Sequence, residues 1–64
     1  MSPDTIKFKT IQFINGTKYL LGDQVGQVKN TMCYNLKIER TEENLAIIEE
    51  AINVYFEAQN SLSI

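Results

Sequence analysis

Residues 12–21 read QFINGTKYLL, and the expected fold turns on how Asn15-Gly16 is taken. An Asn-Gly pair between β-prone segments is the strongest short-range signal for a two-residue hairpin, because a type I′ turn needs positive φ at both central positions. Such a turn sets the register. Ile14 opposes Thr17, Phe13 opposes Lys18, Gln12 opposes Tyr19 and Ile11 opposes Leu20, and opposed residues share a face. Phe13, Ile11 and Leu20 then lie on one side, with Ile14, Tyr19 and Leu21 on the other. Both faces carry large apolar side chains, so the second face needs a cover.

Towards the N-terminus, Ile6 and Phe8 continue an alternating pattern: a β-bulge near Thr10 would place them on one face with Ile11 and Phe13, and without the bulge the strand is apolar on both sides. In the other direction, GDQVGQVKN (residues 22–30) is turn-like, with room for a short strand at 24–28. Met32, Tyr34, Leu36 and Ile38 then alternate with Thr31, Cys33, Asn35, Lys37 and Glu39, a period of two that predicts a strand. Reading residues 20–37 as helix-turn-helix places Gly22 and Gly26 in the first helix and overrides that alternation. The strand is preferred for this reason.

From Arg40 the period changes to 3.6. Thr41 is a good N-cap, and Glu42 and Glu43 fall in a first turn where the helix dipole favours negative charge. Leu45, Ile48, Ile52, Tyr55 and Gln59 follow in steps of three and four. A second line, Ile47, Ala51, Val54 and Ala58, widens the apolar sector beyond the usual stripe of about 100°. The spacing predicts a helix from about Glu42 to Gln59. The expected architecture is α+β: a three- to four-stranded antiparallel sheet within residues 5–39, then one C-terminal helix packed on it, in a single domain spanning 1–64.

Composition bounds the rest. The chain has 64 residues, 44% of them hydrophobic, which predicts a small core and leaves little room for a deep substrate cavity. One cysteine, Cys33, cannot form an internal disulfide, which suggests a reducing compartment. MSPDTIKFK lacks the apolar segment of a secretory signal, and no apolar run approaches the ~20 residues of a membrane span. These features predict a cytoplasmic protein with no membrane association. All six basic residues precede position 41; against Asp4, Asp23 and Glu39 they leave +3 on residues 1–40, while Glu42, Glu43, Glu49, Glu50 and Glu57 give −5 beyond.

No catalytic, metal or cofactor constellation emerges, and a non-enzymatic protein without cofactor is expected. There is no histidine, which removes the usual general base and the commonest metal ligand. Cys33 has no adjacent base in the sequence to activate it. Glu42, Glu43, Glu49 and Glu50 lack the oxygen-rich loop of calcium sites and read as a solvated helix face. Gly22 to Gly26 is not followed by the Gly-Lys-Ser/Thr of a phosphate loop. Asn15-Gly16-Thr17 spells a glycosylation acceptor, but the turn accounts for Asn-Gly.

What remains is surplus apolar surface on the hairpin and the helix. It predicts an interaction module, a regulator or inhibitor that forms a homo-oligomer, with a dimer favoured, and binds a larger protein partner. The residues expected to serve self-association or partner binding are Ile14, Tyr19, Leu21, Ile47, Val54 and Phe56. The alternative is a small nucleic-acid-binding domain, in which Lys7, Lys9, Lys18 and Lys37 beside strand aromatics form a stacking platform. Its overall negative charge argues against that alternative.

Overall fold

The computed structural model describes residues 1–62, and among them the chain forms three helices and no strand: α1 (Pro3–Ile14), α2 (Gly22–Leu36) and α3 (Glu42–Leu62). The expected α+β fold with an antiparallel sheet is therefore overturned. Both the hairpin and the alternating segment at 31–39 lie in helices or the links between them.

α1 begins with three local signals. Ser2 is the N-cap, its hydroxyl accepting from the Thr5 N–H at 3.2 Å. Pro3 occupies the first turn, where its missing N–H is harmless, and Asp4 complements the dipole. The helix stops at Asn15-Gly16. Asn15 has φ −57° and ψ 130°, Gly16 has φ 91°, and the Thr17 N–H donates to the Ile14 carbonyl at 2.9 Å. Those angles define a type II turn, which needs positive φ at its second central residue alone. Asn-Gly thus ends a helix here, and the type I′ register of the hairpin never forms. The buried face is Ile6, Thr10 and Ile14, a row at i, i+4, i+8 that passes through a threonine. The Thr10 hydroxyl donates to the Ile6 carbonyl at 2.8 Å, so its burial leaves no unsatisfied group.

α2 opens with the Gln24 side chain accepting from the Leu21 N–H at 2.9 Å, one half of a capping box, and with Asp23 in the first turn. Val28 and Met32 are buried, flanked by the half-buried Val25 and Leu36, in steps of three, four and four. Tyr34 is 84% exposed. The alternation that predicts a strand therefore rests partly on a residue left in solvent. α2 ends in a Schellman motif: the Lys37 N–H donates to the Tyr34 carbonyl at 3.3 Å and the Ile38 N–H to the Cys33 carbonyl at 3.1 Å. Lys37 itself holds the left-handed position, φ 55° and ψ 43°.

α3 starts as its sequence suggests. The Thr41 hydroxyl accepts from the Asn44 N–H at 3.2 Å, and Glu42 and Glu43 fill the first turn. It extends beyond Gln59, the expected end. Ile48, Ala51, Ile52 and Tyr55 are its buried face.

α3 is the spine. α1 packs along it extensively, α2 less so, and α1 and α2 hardly meet. Ile6 and Ile14, Val28, Met32 and Cys33, and Ile48, Ile52 and Tyr55 form one core drawn from all three helices. Lys7 to Glu50 (3.3 Å) and Lys29 to Glu49 (3.0 Å) bridge α1 and α2 respectively to α3 at the rim of that core. Such exposed pairs are worth about 0.2–1 kcal/mol each, so apolar burial holds the fold. The radius of gyration is 11.4 Å, against about 10.7 Å for a compact chain of this length.

Candidate functional site

The turn after α1 also shapes a region of the surface where apolar groups surround a cavity. The Gly16 N–H donates to the Tyr55 hydroxyl at 2.9 Å, a contact between the turn and the middle of α3. Tyr55 is buried, and its ring meets Phe56 edge-to-face, centroids 5.1 Å apart and planes at 77°. The turn is thus tied to α3 and carries Lys18, Tyr19 and Leu20 past that helix.

There they line an open groove of about 290 Å³. One wall is Lys18, Tyr19, Leu20 and Val25; the other is Ile52, Asn53, Phe56 and Asn60 of α3. The lining is apolar at its centre, and Lys18 is its single charged residue. Tyr19 is 70% exposed, and Leu21, the N-cap residue of α2, is also exposed. Aromatic and aliphatic groups held open to solvent by a hydrogen-bonded turn can take up an apolar side chain. The few polar groups at the edge supply orientation.

The structure gathers some of the expected interaction residues and separates others. Tyr19 and Phe56 face the same groove, with Leu21 close in the chain. Ile14 is 2% exposed and belongs to the core, because the hairpin face that would present it does not exist. Ile47 packs half-buried against the core, and Val54 is exposed. Helical geometry puts Val54 about 160° around α3 from Phe56, so Ile47 and Val54 do not join the groove. Leu20, Val25 and Ile52 are groove residues that the sequence reading did not select. Ile52 was legible in the helical stripe, and Val25 in the spacing with Val28 and Met32.

The lysines do not share a face. Lys7 is bound to Glu50, while Lys9 lies about 160° around α1 from it. Lys18 and Lys37 stand beyond opposite ends of α2, a helix of 15 residues and so about 22 Å long. The sheet on which a stacking platform was expected is absent among the described residues. Cys33 is buried, and among the described residues no three His, Cys, Asp or Glu side chains converge as a metal cage. No helix among them is long and apolar enough to cross a membrane. Compared with protein-family models, curated proteins and solved structures, this chain matches none of them.

Proposed function

We propose that this protein is a non-enzymatic interaction module that self-associates and regulates or inhibits a larger protein partner by occupying its surface. The observation that supports this reading is Tyr19, exposed at the mouth of a groove lined by Leu20, Val25, Ile52 and Phe56 and steadied from below by the Gly16 to Tyr55 hydrogen bond. Exposed aromatic anchors beside a preformed pocket are the kind of group that dominates protein interfaces. Burying Tyr19 and Leu21 contributes about 1.5–3 kcal/mol each before the losses of association. That is comparable with the 3–5 kcal/mol that a core in a chain this small nets, roughly.

The test is a purified complex. A partner recovered from host extract is identified, and its complex is rebuilt from the two purified proteins. Tyr19→Ser and Leu21→Lys should each weaken that complex at least tenfold while the helical circular dichroism is retained, and Lys9→Glu should change it little. Affinity indifferent to both Tyr19 and Leu21 would overturn the reading.

A further inference from the structure

We infer that the occupant of the groove is a second copy of this chain, docked about a twofold axis so that Lys18 of each copy pairs with Glu57 of the other. The inference rests on the self-association in the preceding reading and names its surface.

Charge complementarity carries it. Lys18 stands in the wall formed by the turn and α2, and it has no ion-pair partner among the described residues. Glu57 is likewise without one. On α3, Glu57 lies four residues after Asn53 and three before Asn60, both of which line the opposite wall. Residues at those spacings are neighbours on one helix surface, so Glu57 borders the groove on the side away from Lys18. A twofold axis through an apolar patch superimposes its left edge on the partner's right edge. A patch with a lone cation on one edge and a lone anion on the other is therefore complementary to itself. Tyr19, Leu20 and Phe56 lie between those edges and would meet their own counterparts.

The experiment is a charge exchange read by sedimentation equilibrium. Wild type should be a dimer at high micromolar concentration. Lys18→Glu places two carboxylates at each edge contact, and Glu57→Lys places two ammonium groups there; each variant should dissociate at least tenfold more readily. An equimolar mixture of the two single variants should recover dimer, because both contacts then pair opposite charges, and the double variant should recover it as well. Both sites are exposed, and thermal melting of each variant confirms that the fold is kept. Wild type monomeric throughout would overturn the inference, as would single variants that dimerise like wild type, or a mixture that stays monomeric. A monomer that still binds a separate partner through Tyr19 would overturn the second copy as occupant and leave the interaction module standing.

Discussion

Replacing Gly16 by alanine of either hand tests the turn on which both the fold and the groove depend. Gly16 has φ 91°, and a Cβ built on it meets no atom within 4 Å. Steric clash is thus absent, and the backbone dihedral alone decides the outcome. An L-residue held in the left-handed region loses about 1–2 kcal/mol. Removing the freedom of glycine in the unfolded chain returns about 0.4–1 kcal/mol. Gly16→Ala should therefore destabilise by about 1 kcal/mol, and D-alanine, for which this φ is favourable, should stabilise by about 0.5 kcal/mol. For a domain of 64 residues the unfolding entropy makes 1 kcal/mol worth about 7 °C in Tm. The two epimers should melt roughly 10 °C apart, measured by circular dichroism on the synthetic chain. The epimers share one composition, so their difference isolates the dihedral. Position 15 supplies the second half of the test. Asn15 has φ −57°, so L-alanine there should be more stable than D-alanine, the reverse of position 16. A type I′ turn has positive φ at both positions and would favour the D-residue at both. A preference for D at position 15, or for L at position 16, would refute the type II turn and the helical fold built around it.

Two other substitutions probe the remaining helices. Lys37→Gly should raise Tm, by about 3–7 °C, since Lys37 holds a left-handed Schellman position at φ 55° that glycine adopts without strain; a lowered Tm would count against the motif. Thr10→Val should leave chemical-denaturant stability unchanged or raise it by up to about 1 kcal/mol, because Thr10 is fully buried and its hydroxyl bonds only within its own helix. A loss above about 2 kcal/mol would show that the hydroxyl has a tertiary partner.

α3 was legible because its signals agree with one another. Thr41, the two glutamates after it and the 3.6-residue stripe all specify a helix with the same start, and the tertiary structure buries Ile48, Ile52 and Tyr55 of that stripe, with Leu45 half-buried and Gln59 exposed. α1 was half legible: Ser2, Pro3 and Asp4 form a helix start, but the burial row runs through Thr10, which hydrophobicity alone does not mark, while Phe8 and Phe13 imitate a strand face and end exposed. α2 was ambiguous in principle. Met32 and Leu36 belong both to the alternating set with Tyr34 and Ile38 and to the helical set with Val25 and Val28. Choosing between them requires knowing whether Val28 or Tyr34 has a surface to pack against, and that surface is the face of α3, distant in sequence. The Asn-Gly signal was ambiguous in the same way, since the type I′ and type II turns both place glycine at positive φ and differ only in the sign at Asn15. The sequence alone determined the start of the last helix and the need for a glycine at residue 16. The tertiary structure decided that this glycine ends a helix rather than joins two strands. It did so because α3, distant in sequence, offers Ile6 and Ile14 and then Val28 and Met32 a shared apolar face; within each pair the spacing is a multiple of four, which a helix and a strand both put on one side, so spacing alone does not choose between them.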